Sequence, residues 1–182
     1  KKLCAVDFGI THPTTCVWTA YDPDSDTIYV YDIYKKEGEV PAIHSTVIKS
    51  RGKSIPCIYP HDGDNTEKGS GKTLAEMYME SGVLMIGKFT NPDGTNYVEP
   101  GLMEMLERFR TGRLRVFSNL VPWFEEFRRY HRKKGKIHKE FDDLMDATRY
   151  AAITVTRFGQ NQVERDHMTN GSTGHTTNEY SF

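Results

Sequence analysis

One segment constrains the fold of this chain more than any other. Phe141-Asp142-Asp143-Leu144-Met145-Asp146-Ala147-Thr148-Arg149-Tyr150-Ala151 places a cluster of carboxylates on an otherwise apolar helix. Ionised carboxylates on a helix face that should be buried are costly unless something cationic compensates them. On helical spacing Asp143 and Asp146 stand at i and i+3, and Asp142 and Asp146 at i and i+4, so they share a side. One of Asp142 and Asp143 is accounted for as the helix N-cap, a position that favours aspartate. Asp146, a turn further in, is not. Two other aspartates, Asp7 and Asp62, stand where strands are expected to end. Strand-end acids converging with helix acids are the arrangement of a divalent-metal site.

The strands are read from short apolar or β-branched runs: Leu3 to Val6, Cys16 to Tyr21, Thr27 to Tyr34, Pro56 to Tyr59, Val83 to Ile86 and Leu114 to Phe117. Asp22-Pro23-Asp24-Ser25-Asp26 has turn composition, so the second and third strands form an antiparallel hairpin. Helices are expected over Val40 to Lys49, Thr73 to Ser81, Leu102 to Phe109, Trp123 to His131 and Leu144 to Phe158. Trp123, Phe124, Phe127 and Tyr130 fall near one side of their helix; at that spacing they read as core, although aromatics of this kind can also stack on bases. The order predicts an α/β fold, a mixed sheet with helices on both faces. From Gly159 onward the chain is polar, rich in Asn, Thr, Gly and Ser, and is expected to be a disordered tail over 159–182.

A chain of 182 residues is long enough for one domain over 1–158 with a substantial core. No stretch approaches the roughly 18 to 20 apolar residues that span a bilayer, so no membrane partner is expected. There is no secretory signal, since Lys1-Lys2 leads directly into a short apolar strand and Asp7. Without an initiator Met the chain reads as a fragment of something longer. Cys4, Cys16 and Cys57 are odd in number, lack metal-ligand spacing and read as free, buried thiols.

Net charge is only −1, so overall charge does not advertise nucleic acid, but its distribution is uneven. Arg108, Arg110, Arg113 and Arg115 form one basic group, and Arg128, Arg129, Arg132, Lys133, Lys134, Lys136 and Lys139 a denser one. A charge run is ordinarily a solvated face. Placed just before an acidic helix, it reads as a clamp for phosphates, with Lys133-Lys134-Gly135-Lys136 as a tight basic turn. Acid in the site and base around it suit a nuclease.

Hard cations such as Mg²⁺ and Mn²⁺ prefer oxygen ligands, and two ions about 3.5–4 Å apart support phosphodiester cleavage. Asp7, Asp62, Asp143 and Asp146 are a sensible ligand number for that task. Asp64 is an alternative to Asp62, and Gly63 is expected to let a ligand or metal approach closely. Gly69-Ser70-Gly71-Lys72-Thr73 imitates the end of a phosphate-binding loop, but Thr66 stands where that pattern needs glycine, so no ATP site is expected. Lys72 is left as a loop cation near Asp62.

Val6-Asp7-Phe8-Gly9, Tyr59-Pro60-His61-Asp62-Gly63 and the run from Lys136 through Asp142-Asp143-Leu144-Met145-Asp146-Ala147-Thr148-Arg149-Tyr150 together resemble the nuclease domain of the large terminase subunit of tailed phages, of the headful-packaging type from short-tailed enterobacterial phages. The resemblance implies an RNase H-like fold and metal-dependent cutting of double-stranded concatemeric DNA during genome packaging. It implies Asp7, Asp62, Asp143 and Asp146 as ligands of Mg²⁺ or Mn²⁺, with two ions. Arg132, Lys133, Lys134 and Lys136 would lie near DNA. It further implies the portal ring and a small terminase subunit as partners, in the host cytoplasm on the procapsid. Other readings are a Holliday-junction-resolvase-like or transposase-like nuclease, and a non-catalytic DNA-binding domain of the same fold. A nucleotide-binding module of the actin type would need two such domains, for which the chain is too short.

Overall fold

The computed structural model describes all residues except 10, 11, 67–70, 134, 135, 138, 139, 141 and 171–182, with backbone alone at 133, 136, 137 and 159–170. Its centre is a six-stranded sheet built from β1 (Lys2–Asp7), β2 (Thr14–Asp22), β3 (Thr27–Lys36), β4 (Cys57–Tyr59), β5 (Met85–Lys88) and β6 (Leu114–Val116). The strand order is β5-β4-β1-β2-β3-β6. β1, β2 and β3 form an antiparallel meander. β4 adds parallel to β1, β5 parallel to β4 and β6 parallel to β3. This is the mixed sheet expected from the sequence.

Alternation along β1 explains why helices cover both faces. Leu3 and Ala5 point into one core layer, Cys4 and Val6 into the other. β2 divides likewise, Val17 and Tyr21 against Cys16 and Trp18. The first layer is closed by α3 (Val98–Arg110), α4 (Val121–Arg129) and α5 (Asp143–Asn170); the second by α1 (Pro41–Ser50) and α2 (Leu74–Glu80). The three cysteines are free and buried, all in the second layer.

Helix ends follow local chemistry. α2 is opened by a capping box, Thr73 accepting from Glu76 N–H while the Glu76 carboxylate accepts from Thr73 N–H. Gly71-Lys72-Thr73 is therefore the entrance to a helix, and Lys72 is paired with Glu80 at 2.7 Å. α3 begins a turn earlier than expected, with Pro100 tolerated in its first turn. The backbone of α5 stays helical to Asn170, beyond the end expected at Phe158; residues 171–182 of the expected tail lie outside the described residues. Ahead of α5, β7 (Arg132–Lys133) pairs antiparallel with β8 (Lys136–Ile137); residues 134 and 135 of the expected basic turn lie outside the described residues. Among the described residues no helix is long and apolar enough to cross a membrane.

Candidate active site

The C-terminal end of β1 faces the N-terminal end of α5 across a cavity of about 890 Å³. Asp7 is the last residue of β1 and lies in register with Thr15 of β2, which in turn pairs with Lys35 of β3. One row across three strands thus presents Asp7, Thr15 and Lys35 to the helix side, the face that also carries Leu3, Ala5 and Val17. Thr15 Oγ1 donates to the Asp143 carbonyl at 3.1 Å, tying the first turn of α5 to the sheet beside Asp7.

Asp7, Asp62, Asp143 and Asp146 all line this cavity, together with Asp142. They arrive from three separate parts of the fold. Asp62 is not at a strand end: β4 stops at Tyr59, and Asp62 lies in the 3₁₀ turn His61–Asp64 that follows Pro60. Because β4 is the parallel neighbour of β1, this turn still falls at the same sheet edge as Asp7. Asp64 is excluded from the cavity lining and is engaged by Lys88 at 2.8 Å and Tyr59 Oη at 3.2 Å. Gly63 makes room for two rings. A Cβ there would stand 2.6 Å from both the Phe8 and Tyr59 rings.

Asp142 immediately precedes α5, and its carbonyl accepts the Asp146 N–H at 2.8 Å, which is the N-cap position. Asp143 opens the helix and Asp146 follows one turn on. Burial pushes the Asp7 carboxyl well above the usual carboxylate range, and the charges of Asp146, Asp62, Asp143 and Asp142 add to it. Asp62 is also raised, by partial desolvation. The cavity is thus an excess of negative charge around Asp7.

Among the described residues Lys35 and Arg149 reach into it, and sequence reasoning assigned neither a role. Lys35 Nζ donates to Asp143 Oδ2 at 2.8 Å and to Glu126 Oε1 at 2.5 Å. Glu126 is 5% exposed, and its other oxygen accepts the Leu144 N–H at 2.9 Å, so it caps α5 from α4. Arg149, 2% exposed, bonds Asp146 Oδ1 through Nε and Nη2 at 3.3 and 3.2 Å. Its guanidinium lies 5.2 Å from the Phe89 ring centroid and 4.7 Å from that of Tyr150. Spacing held a signal for Lys35 and for Glu126. Lys35 follows Ile33 at the strand period, and Glu126 follows Trp123 at the helix period.

Trp123 is buried and donates to Thr148 Oγ1 at 2.8 Å, so it is core, as its spacing predicted, whereas Phe127 is half exposed. Of the basic turn, Lys134 lies outside the described residues, and Lys133 and Lys136 are placed by backbone alone. Arg132 is exposed and paired with Glu99 of α3 through both carboxylate oxygens.

The donor set of the cavity suits a hard divalent cation: its acidic oxygens are many, and the raised Asp7 carboxyl marks charge that a cation would relieve. As the side chains stand, no three His, Cys, Asp or Glu among the described residues are gathered tightly enough to enclose an ion. Lys35 and Arg149 occupy part of that role.

The terminase RNaseH-like domain matches residues 4–154. The large terminase subunit of Salmonella phage P22 is 41% identical over 158 residues, 86% of this chain and 32% of that protein. The chain spans about a third of the length of the curated relatives it matches. The solved P22 large terminase nuclease domain superposes with a TM-score of 0.76 at 39% identity, covering 84% of this chain and 80% of that one. The large terminase nuclease domain of bacteriophage SPP1, solved with bound Mn, superposes at 0.60 with 19% identity, covering 83% and 84% of the two chains.

Proposed function

The chain belongs to the terminase RNaseH-like domain family, and from that premise we propose that it is a divalent-metal-dependent endonuclease. Its substrate in this reading is double-stranded concatemeric viral DNA, cut during packaging into the procapsid. The observation that carries the reading is the convergence of Asp7, Asp62, Asp143 and Asp146 from β1, the turn after β4 and α5 on one cavity. Residues 1–158 are the nuclease domain in this account. The bound Mn of the SPP1 relative supports Mn²⁺ or Mg²⁺ as the cofactor; two ions are what phosphodiester cleavage of this kind would use.

These four aspartates would hold the ions, and the charges of the other three already act on the Asp7 carboxyl. When bound, such ions supply an activated water and offset the charge of the departing 3′ oxygen. The rest is work for side chains. Thr15 and Glu126 fix the first turn of α5, so that Asp143 and Asp146 enter at set positions. Arg149 orients Asp146 from behind, braced by Phe89 and Tyr150. Arg132, Lys133, Lys134 and Lys136 of the basic turn contact the DNA backbone, which positions the duplex without reading its sequence. The portal ring and a small terminase subunit are the protein partners of the intact polypeptide, at the procapsid in the host cytoplasm.

The test is cleavage of supercoiled plasmid in Mg²⁺ or Mn²⁺ by this chain, carried alone and within the longer polypeptide. Nicking and linearisation abolished by EDTA and by Asp146→Asn support the reading. Cutting that survives Asp146→Asn sinks the assignment of the ligands. Absence of cutting in both contexts sinks the enzyme.

A further inference from the structure

Lys35 is held from two sides by acids of different standing. Asp143 lines the cavity; Glu126 does not, although it is the more deeply buried of the two. The ammonium between them donates to both, at 2.8 and 2.5 Å. Glu126 is anchored independently through its second oxygen, by Leu144 N–H of α5. It would therefore keep its place if Lys35 shifted. Lysine suits such a shift: a compact charge with three donors on a flexible stem trades one carboxylate for another at little cost. A divalent cation drawing on Asp143 would meet the Lys35 charge at close range, where like charges repel.

We infer that Lys35 is a resident counter-ion of Asp143 which an incoming divalent cation displaces onto Glu126, and that Glu126 is the positioning residue that receives it. The inference rests on the reading of the four aspartates as metal ligands. It makes the site unequal. An ion that depends on Asp143 competes with Lys35 and binds weakly, while an ion held by Asp7 and its other neighbours does not compete with it.

Mn²⁺ is the probe, titrated into the EDTA-stripped 182-residue chain with free Mn²⁺ followed by electron paramagnetic resonance. Lys35→Met tightens the weaker ion, by about tenfold for removal of one charge at this range. Glu126→Gln still accepts the Leu144 N–H through its amide oxygen but draws the ammonium less, so Lys35 stays on Asp143 and the weaker ion binds less tightly. Lys35→Arg keeps the charge and stays near the parent value. A purely structural role would move Lys35→Met and Glu126→Gln in the same direction. Lys35→Met binding Mn²⁺ no more tightly than the parent overturns the inference. If that variant does not fold, Glu126→Gln with unchanged or tighter binding overturns it. No Mn²⁺ uptake by the parent, or uptake unaffected by Asp146→Asn, removes the metal reading itself and is a separate failure.

Discussion

Gly101 lies inside α3 where helix propensity argues for another residue, and what it would meet there decides the sign of a substitution. In an open helix Gly→Ala is stabilising by about 1 kcal/mol. Here a Cβ would stand 2.7 Å from both Cγ and Cδ of Arg149 and 3.0 Å from Ile153 Cδ1. Ordinary contact begins near 3.4 Å, so the arginine stem must retreat by about 0.7 Å. It has little room to do so: Arg149 is 2% exposed, bonded to Asp146, and its guanidinium lies against Phe89 and Tyr150. Forcing extra volume into such a site costs about 1–3 kcal/mol, which outweighs the propensity gain. Gly101→Ala should therefore destabilise by a net of up to about 2 kcal/mol, a fall in Tm of up to about 8 °C for a chain of this size. Thermal melts by circular dichroism in EDTA read this directly. In an Arg149→Ala background the same change should turn neutral or stabilising, because the cavity then accepts the methyl. A rise in Tm on Gly101→Ala alone would refute the argument that Arg149 is wedged under Asp146.

Asp7→Asn should raise the Tm of the metal-free protein at neutral pH, because burial and four neighbouring aspartates disfavour its charged form. The sign follows from a folded carboxyl that ionises later than the unfolded one. Asp7 costs nothing at pH values below the ordinary carboxyl range, and its destabilisation develops as pH climbs through the ordinary value of about 3.9 towards the raised one. Melts against pH in EDTA check it; a variant that melts below the parent at neutral pH contradicts it. Asp62→Asn should weaken Mn²⁺ uptake, whereas Asp64→Asn should not, since Asp64 is engaged outside the cavity by Lys88 and Tyr59; equal losses in isothermal titration would undo the distinction. Thr73→Ala should cost about 1 kcal/mol through the lost cap of α2 and leave Mn²⁺ affinity alone, and parallel melts and titrations settle both halves.

Local patterning carried most of the fold. The alternation of Leu3, Ala5 and Asp7 against Cys4 and Val6 already divides β1 between two layers, and the turn at Asp22–Asp26 already implies the β2–β3 hairpin. The candidate site was legible where an acid ends an apolar run, as at Asp7, or interrupts a helical stripe, as at Asp146. The strand before Asp62 ends at Tyr59 as expected, but a 3₁₀ turn after Pro60 separates Asp62 from that end. The packing requirement at Gly63 was not legible, because the rings it admits, Phe8 and Tyr59, approach only in three dimensions. Lys35 and Glu126 are 91 residues apart, and their meeting with Asp143 depends on how α4 and α5 pack over β3. No local rule reports that. The length of α5 beyond Phe158 was hidden by the polar composition of that segment, which resembles a tail.

The central claim is that four aspartates from three parts of the fold share divalent metal. Crystals of the chain soaked in Mn²⁺ and measured at the manganese absorption edge test it most directly. The account predicts anomalous density within the cavity, in contact with Asp7 and with carboxylates of Asp62, Asp143 and Asp146, and lost from that place in Asp146→Asn. A cavity without anomalous density at saturating Mn²⁺, or density only at surface acids such as Asp64 and Glu99, would contradict it.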